Sequence, residues 1–392
     1  MTPTVCLTID WYLPGTNSGG PVRSVANLVS ALQTIDFYII TRNTDYCSDV
    51  PYTGIVPNQW LKQAPNVWVY YLSEDRVNKR EIRRVLLQLQ PDVLYVSGIY
   101  SRWFSQWPVF VGKKAGIKTV VAARGMLSPH ALAVKPFKKW VFLRAMRWLN
   151  LYREVLFHAT SPQEAADIHR VLGSHCPVAV VPNVGRSETA GVQPLAKTVG
   201  ELRLVSVGRI APEKGTLLGL QALGAVKGQV VLDLYGTAYD SGYWQQCEAV
   251  IAQLPSRIQV RYHGACDSEA VAEKLASAHA LLLPSEGENY GHAIVESLSQ
   301  GRPVIISQNT PWQGLAQRRA GWDVPVEALP NAIQTLLDWD QAEFNVWVDG
   351  AKNYHQTVIE KERQPVLAQY RTLFCGDIVA PTHFDGSEIE HS

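Results

Sequence analysis

The stretch "ALLLPSEGENYGHAIVESLSQGRPVIIS", residues 280–307, contains a complete strand–loop–helix–strand unit. Its apolar run at 280–284 and its β-branched run at 304–307 predict two buried strands. Between them a helix is predicted from about 291 to 300, ending at Gly301. A strand, a helix and a second strand in succession are typical of parallel strands, and therefore predict an α/β fold.

The same alternation extends over most of the chain. Predicted strands are Val5–Ile9, Phe37–Thr41, Val67–Tyr71, Val93–Ser97, Thr119–Ala122, Leu202–Val207, Val230–Tyr235, Ile258–Tyr262, Ala280–Pro284 and Val304–Ser307. Helical patterns lie between several of them, as at Val22–Leu32 and Arg80–Leu89. Two successive β–α alternations predict two doubly wound, mostly parallel sheets. Ligands of such sheets bind beyond the carboxyl ends of the strands, so the strand-to-helix loops are candidate sites.

A chain of 392 residues is long for one hydrophobic core, and two domains are expected. The segment 183–200 is rich in Pro, Gly, Ser and Thr and predicts the boundary between them. The predicted division is an N-terminal domain over 1–190, a second domain over 191–355, a C-terminal helix over 356–375 that returns to the first domain, and a weakly ordered polar tail over 376–392.

The net charge of +1 conceals an uneven distribution. Residues 1–198 carry 22 Lys and Arg against 12 Asp and Glu, whereas residues 199–392 carry 14 against 23. A basic half and an acidic half predict two domains with different electrostatic tasks. Ordinary scatter of charge over solvated faces is the alternative and stays open. The basic surplus contains no nucleic-acid-binding motif, so no partner of that class is expected.

The sequence also predicts the compartment. It has no apolar run of the ~18–20 residues that cross a bilayer, and its start lacks the pattern of a secretory signal. The six cysteines form no CxxC pair and predict free thiols rather than a zinc site or a disulfide framework. A cytoplasmic protein is expected.

The first loop of interest is "TIDWYLPGTNSGGPVRSV", residues 8–25. Gly19 and Gly20 precede Pro21, which suits a helix start, so the loop can approach an anionic ligand closely. It is not a GxGxxG motif, and no acidic residue follows at the distance that a dinucleotide site needs, so that site is disfavoured. A flexible turn is the alternative interpretation.

The second loop is "VSVGRIAPEKGT", residues 205–216. Arg209 and Lys214 lie between a strand end and a helix start, where two cations favour a diphosphate. The third loop belongs to the opening stretch: Glu288 precedes its helix and Glu296 lies within it. Two carboxylates around a helix N-terminus can accept hydrogen bonds from hydroxyl groups while the backbone N–H groups bind an anion, and together these loops suit a nucleotide sugar. There is an alternative interpretation of each residue: Glu288 complements the helix dipole, and Glu296 is a solvated helix residue.

Four motifs in order carry a family resemblance. Glu288-x7-Glu296 with "GRPVI" after it, "VGRIAPEKG", "VVPNVG" at 180–185 and "NSGG" at 17–20 resemble the retaining glycosyltransferases of family 4, glycosyl transferases group 1. That family has the GT-B fold, in which two Rossmann-like domains face each other across a cleft. "ENYGHAIVE" followed by "TPW" is further similar to members that build bacterial surface polysaccharides, lipopolysaccharide or exopolysaccharide.

The resemblance implies a role for each matching residue. Glu296 would bind the ribose hydroxyls, and Glu288 those of the donor sugar. Arg209 and Lys214 would neutralise the leaving diphosphate. The remaining donor-binding positions are Gly19 and Gly20, which would cover the diphosphate from the other domain, and Asn289, Tyr290, Gly291 and His292.

The sequence departs from the family in two places. Asn183-Val-Gly stands where the family has Asn-Gly, and no histidine matches the one that many members place in the N-terminal half of the cleft. "AARGMLSPHALA", residues 122–133, occupies that region, so Arg124 is the substitute catalytic candidate and His130 the second choice.

The expected function is retaining transfer of a sugar from a UDP- or GDP-sugar to a saccharide acceptor, without a metal or other cofactor. A sugar-nucleotide 2-epimerase or a phosphorylase on the same fold, and a non-catalytic nucleotide-sugar-binding regulatory module, are the alternatives. Residues 135–153 carry six cations and no acid among Phe137, Trp140, Phe142 and Trp148, which predicts contact with an anionic membrane surface, on the inner face of the cytoplasmic membrane. The acceptor would then be lipid-linked. A helix whose aromatic residues belong to the core is the other interpretation of this segment.

Overall fold

A computed structural model describes residues 2–186, 194–267 and 270–376. The described residues form two compact units: unit 1 comprises 2–12, 28–183 and 366–376, and unit 2 comprises 13–27 and 184–365. The segment 13–27 thus groups with unit 2, although the sequence placed it inside 1–190. The predicted tail lies outside the described residues except for Gly376, as do residues 187–193 of the predicted boundary segment.

Fourteen strands make up the two sheets of the described chain. They are β1 (Thr4–Thr8), β2 (Asp36–Arg42), β3 (Trp60–Ala64), β4 (Val67–Leu72), β5 (Val93–Ser97), β6 (Lys118–Ala122), β7 (Leu156–Ala159), β8 (Val178–Val180), β9 (Glu201–Val207), β10 (Gln229–Tyr235), β11 (Ile258–Tyr262), β12 (Ala280–Leu283), β13 (Val304–Ser307) and β14 (Gly321–Val324). The order is β3-β4-β2-β1-β5-β6-β7-β8 in unit 1 and β11-β10-β9-β12-β13-β14 in unit 2. Neighbours pair in parallel throughout, except that β3 is antiparallel to β4.

Helices connect the strands in the manner of doubly wound folds. They are α1 (Gly20–Ala31), α2 (Lys79–Leu89), α3 (Trp107–Ala115), α4 (Pro129–Ala133), α5 (Pro136–Trp148), α6 (Pro162–Leu172), α7 (Thr216–Gly224), α8 (Ser241–Gln253), α9 (Val271–Ala276), α10 (His292–Ser299), α11 (Leu329–Asp338), α12 (Gln341–Tyr354) and α13 (Glu360–Cys375). None of these described helices combines the length and the hydropathy that crossing a bilayer requires.

The central strands explain the opening stretch. Every residue of β5, β12 and β13 is buried, because helices cover both faces of a parallel sheet, and such strands therefore have continuous apolar sequences. α10 buries seven of its eight residues, leaving Glu296 as the partly exposed one. This helix ends where Gly301 adopts a positive φ of 64°, as the sequence predicts.

Each sheet reverses its strand order once, and this reversal locates the candidate sites. In unit 2 the chain runs outward from β9 through β10 to β11, then returns to the other side of β9 with β12. In unit 1 the same change of direction occurs between β1 and β5. Crevices form at the carboxyl ends of the strands at such switch points. The loops after β9 and β12, and those after β1 and β5, are therefore the places where each unit can bind a ligand.

Candidate functional site

The loops after β9 and β12 meet in a direct ion pair. Lys214 Nζ donates to Glu288 Oε1 at 2.6 Å, and Ser285 Oγ donates to the same oxygen at 2.8 Å. The Glu288 side chain is only 10% exposed and that of Lys214 22%, so water screens the pair little. The sequence assigned these two residues to different parts of a donor, and the structure brings them into contact within unit 2.

Close backbone approach makes this contact geometry possible. A Cβ on Gly215, whose φ is +66°, would lie 2.0 Å from the carbonyl oxygen of Pro284. A Cβ on Gly236 would lie 1.8 Å from the carbonyl oxygen of Gly208. Side chains at these positions would push the loops apart, so glycine is required at both of them.

Arg209 stands apart from the ion pair. Its Nη2 donates to Glu213 Oε1 at 3.0 Å, and the two side chains are 43% and 36% exposed. Exposed pairs of this kind contribute only ~0–1 kcal/mol, so Arg209 can exchange its partner for a phosphate at little cost. The structure therefore leaves Arg209 available to an anion at the same loop without joining it to Glu288.

The start of α10 is shaped by Gly291, Tyr290 and Trp312. Gly291 has a positive φ of 77° and directs the chain into the helix at His292. Trp312 Nε1 donates to the Tyr290 carbonyl at 2.5 Å and fixes this turn, while Asn289 remains exposed. The Tyr290 ring lies against Gly185, and burial raises the pKa of its phenol. The turn thus leads directly into a helix N-terminus, whose backbone N–H groups favour an anion.

Glu296, one turn into α10, is held by α1. Arg23 Nη1 donates to Glu296 Oε2 at 3.3 Å, with the two side chains 19% and 15% exposed. Burial raises the pKa of Glu296, and the nearby charges of Arg23 and Arg186 lower it. The carboxylate predicted to bind ribose is therefore largely shielded from water and paired rather than solvated.

His292 binds the same helix. Its Nε2 lies 2.9 Å from Ser24 Oγ, and its Nδ1 lies 3.4 Å from the amide nitrogen of Asn27. The sequence did not single out Arg23, Ser24 or Asn27. The i, i+4 spacing of Arg23 and Asn27, directly after the glycine loop, is the signal that could have indicated them.

The glycine loop is also fastened to unit 2. Thr237 Oγ1 contacts Asn17 Oδ1 at 3.5 Å, and the Tyr239 hydroxyl donates to the Asn17 carbonyl at 3.4 Å. Open space surrounds the positions where Gly19 and Gly20 would carry a Cβ. Both glycines belong to unit 2, and the open space lets a ligand approach their backbone.

Arg124 lies in unit 1 at the end of a buried polar chain. Its two terminal nitrogens donate to Asn183 Oδ1 at 2.9 Å and to the Tyr95 hydroxyl at 3.1 Å, while its Nε is buried without a hydrogen bond to any described residue. The Tyr95 hydroxyl lies 2.7 Å from His158 Nδ1, and His158 Nε2 lies 2.8 Å from the Val181 carbonyl oxygen. Burial lowers the pKa of His158 to about 3, so the ring is neutral. Its Nε2 donates a hydrogen bond to the Val181 carbonyl, and its Nδ1 accepts one from the Tyr95 hydroxyl.

Arg124 has a left-handed backbone conformation with a φ of 54°, and its guanidinium is held by Asn183 and Tyr95. His130, the second candidate, is exposed on α4. Of the two, only Arg124 is positioned by other polar side chains.

The switch point of unit 1 carries a cluster that the sequence did not single out. Asp10 follows β1, and its Oδ1 accepts from Ser101 Oγ at 2.8 Å after β5. Arg42 Nε, at the end of β2, lies 3.7 Å from the same oxygen. Burial raises the pKa of Asp10, and Ser101 and Arg42 lower it. A charged residue directly after an apolar first strand is the signal that could have revealed this site.

Metal ligands are not grouped in the described chain. Within residues 2–186, 194–267 and 270–376, no three His, Cys, Asp or Glu side chains are placed together to hold a metal ion.

The chain matches two sequence families and several known proteins. Residues 19–184 match the glycosyl transferase 4-like domain, and residues 189–338 match the glycosyl transferases group 1. The chain is 27% identical over 269 residues to the GDP-mannose-dependent alpha-(1-6)-phosphatidylinositol dimannoside mannosyltransferase of Mycobacterium tuberculosis, a match that covers 65% of this chain and 68% of the relative.

Solved structures show the same fold. Sucrose-phosphate synthase from Thermosynechococcus elongatus superposes with a TM-score of 0.68 at 18% identity, over 96% of this chain and 100% of the other. HepE from Anabaena, in complex with UDP and glucose, superposes with a TM-score of 0.65 at 15% identity, over 94% of this chain and 100% of the other. The two parallel sheets, the loops that the family motifs occupy and both family matches agree, and the chain belongs to the family 4-type glycosyltransferases, glycosyl transferases group 1, with the GT-B fold.

Proposed function

We propose that this glycosyltransferase moves a sugar from a UDP- or GDP-sugar to a saccharide acceptor in bacterial polysaccharide biosynthesis, with retention of the anomeric configuration. The observation that carries the proposal is the Lys214–Glu288 pair at the switch point of unit 2. A carboxylate that is only 10% exposed, beside a cation at the carboxyl ends of parallel strands, suits the junction between a sugar ring and a diphosphate.

The reaction breaks the bond between the anomeric carbon and the diphosphate oxygen and forms a bond from the acceptor oxygen to that carbon. The acceptor proton passes to the departing diphosphate on the same face, which accounts for retention. Lys214 and Arg209 stabilise the negative charge that develops on the diphosphate. Glu288 accepts hydrogen bonds from the sugar hydroxyls and stabilises the positive charge that develops on the ring.

No metal ion is needed in this proposal, because two cationic side chains supply the charge at the diphosphate. Donation from preorganised groups in a site of low dielectric is worth ~2.7–4 kcal/mol of transition-state stabilisation per donor. Full activity in the presence of a chelator is the expected result.

Unit 1 is proposed to bind the acceptor. Asp10, Ser101 and Arg42 combine acceptors and donors of hydrogen bonds at the switch point of its sheet, which suits the hydroxyl groups of a saccharide. Arg124 is the proposed catalytic residue of this unit, oriented by Tyr95. An Asp10→Asn variant should raise the acceptor KM while the donor KM stays unchanged.

A lipid-linked acceptor and a peripheral position on the cytoplasmic membrane complete the proposal. Three of the five aromatic residues in 135–153 are exposed: Phe137 by 74%, Trp140 by 56% and Trp148 by 82%. The other two pack in the core: Phe142 lies 5.2 Å from the Tyr100 ring, and Tyr152 is 6% exposed. The interpretation of this segment as core therefore fails for most of its aromatic residues.

The charge of the segment fits an anionic surface. Six cations at ~1 kcal/mol each would contribute at most ~6 kcal/mol near anionic lipids, which is enough for reversible docking. A relative that acts on phosphatidylinositol dimannoside supports an acceptor of this type. Binding to anionic vesicles at low salt that is lost at high salt is the expected behaviour.

A panel of UDP- and GDP-sugars tests the function. A donor that binds the folded chain raises its melting temperature, and release of the nucleoside diphosphate from that donor then reports turnover. Transfer or slow hydrolysis supports a glycosyltransferase. Conversion of the donor sugar without an acceptor would instead indicate an epimerase, and stabilisation without any turnover would indicate a regulatory module.

A further inference from the structure

We propose that Arg23 is a positioning residue of the donor site, which orients Glu296 so that one carboxylate oxygen faces the ribose. This inference rests on the proposed function, since it assigns the nucleotide to α10. It adds a residue of α1 that neither the family motifs nor the charged loops indicate.

The contacts at Glu296 are asymmetric. Arg23 occupies Oε2 at 3.3 Å, and among the described residues no hydrogen bond is made to Oε1. A carboxylate with one oxygen held by a guanidinium presents its other oxygen in a fixed direction. That oxygen is the one we assign to a ribose hydroxyl.

Arg23 is itself held in place. Ser24 and Asn27, the next residues on the same helix that reach α10, both contact His292. Asn27 also donates to the Val184 carbonyl at 3.2 Å. The contacts of Ser24 and Asn27 therefore hold α1 against α10 and place Arg23 beside Glu296.

The positive charge of Arg23 also affects the protonation of Glu296. Burial raises the pKa of Glu296, so the ionised form needs the cations around it. The charged or titratable groups that face it are Arg23 on α1, Arg186 and the phenol of Tyr290, with His292 one turn earlier on its own helix. Removal of Arg23 takes away the direct partner, so protonation of Glu296 should extend to higher pH.

The experiment compares ribonucleotides with their 2′-deoxy analogues. UDP and 2′-deoxy-UDP, and GDP and 2′-deoxy-GDP, are titrated calorimetrically into the wild type and into Arg23→Met between pH 5.5 and 8.5. A hydrogen bond from a hydroxyl to a charged group corresponds to about 10- to 100-fold in affinity, which is the preference expected of the wild type for the ribonucleotide.

In Arg23→Met this preference should fall to a few-fold at pH 6 and recover partly as the pH rises. Arg23→Lys, which keeps the charge, should retain most of it. Arg83→Met, at an exposed position of α2, is the matched control and should behave as the wild type. Melting temperatures of all variants report whether each chain is folded.

The outcomes separate the two proposals. If the wild type binds none of the nucleotides, the proposed function is wrong and the assignment of Arg23 falls with it. If the wild type prefers the ribonucleotide and folded Arg23→Met keeps the same preference and pH profile, the assignment of Arg23 alone is wrong. If Arg23→Met is unfolded, Arg23→Gln, which also removes the charge, is titrated in its place, and an unchanged ribose preference and pH profile in that folded variant would overturn the assignment.

Discussion

Replacement of Lys214 by methionine should lower turnover far more than it weakens nucleotide binding. The lysine contacts a carboxylate that is 10% exposed, and Ser285 is the other hydrogen-bond donor to that oxygen. In the reaction the same ammonium group would stabilise the charge of the leaving diphosphate. Loss of one such donor costs ~2.7–4 kcal/mol of transition-state stabilisation, a decrease of about 10²- to 10³-fold in kcat.

The free energy of unfolding should also fall in Lys214→Met, but by less than the loss of transition-state stabilisation. Lys214→Met leaves Glu288 with one neutral donor, and loss of a charge-assisted hydrogen bond costs ~1.5–3 kcal/mol before allowance for the 22% exposure of the lysine. The double variant with Glu288→Gln removes the unpaired charge and should regain part of that free energy of unfolding without regaining turnover. Stability and catalysis are thereby separated.

The assay is release of nucleoside diphosphate from the donor that stabilises the chain, with the Kd of the free nucleotide measured in parallel. Lys227→Met, at an exposed position before β10, is the matched control and should leave both values unchanged. Equal losses in kcat and in nucleotide affinity would refute the reasoning, because they would mean that Lys214 contributes uniform binding.

Three further predictions concern other parts of the molecule. Tyr95→Phe should reduce the free energy of unfolding by ~1–3 kcal/mol in urea denaturation, because His158 Nδ1 loses its hydrogen-bond donor. It should also lower kcat, because Arg124 loses a contact. Unchanged values of both would contradict the proposal that this polar chain orients Arg124. The pKa of His158 is about 3 in the folded chain and 6.5 in the unfolded chain, so below pH 6.5 the unfolded chain takes up a proton that the folded chain does not, and the free energy of unfolding falls as the pH falls towards 3. Between pH 7 and pH 5 this residue should lower the free energy of unfolding in urea by ~2 kcal/mol. His158→Gln should reduce that difference. Trp148→Ser should weaken binding to anionic vesicles about 10-fold in co-sedimentation with little change in melting temperature, whereas Val56→Ser, at another exposed position, should change neither; equal vesicle binding by both variants would count against docking through α5.

The sequence predicted the central strands well because their burial leaves a strong pattern. All ten predicted strands are present, and the ends differ by at most two residues. Four strands of the described chain were missed: β7 and β8 are mostly apolar but only four and three residues long, whereas β3 and β14 lack an apolar run. β3 contains Lys62 and Gln63 at an exposed edge, and β14 begins at Gly321 and contains Asp323.

The candidate site was predictable where motifs mark it and not where distant segments meet. Lys214 and Glu288 stand in recognisable loops, although their direct pairing follows only from the topology that makes β9 and β12 neighbours. Arg23 and Glu296 are separated by 273 positions in the sequence, and no local pattern connects them. The buried polar chain from Arg124 to His158 likewise joins residues of β5, of β7 and of the loop after β6, which no local pattern connects.

The sequence left open whether the aromatic residues of α5 face the core or the solvent, and their exposure in the structure answers this question. A basic, aromatic segment has the same sequence pattern whether its rings face the core or the solvent. The 82% exposure of Trp148 and the 74% exposure of Phe137 come from packing, since α5 buries Leu143 and leaves those rings outside.

The stereochemistry of the first product tests the central claim most directly. An α-linked UDP- or GDP-sugar that the panel identifies is incubated with the protein and EDTA, and the anomeric proton of the newly formed product is followed by NMR before mutarotation. We expect an α product, formed at a rate that the chelator does not change. A β product, or no release of nucleoside diphosphate from any donor that binds, would contradict the account.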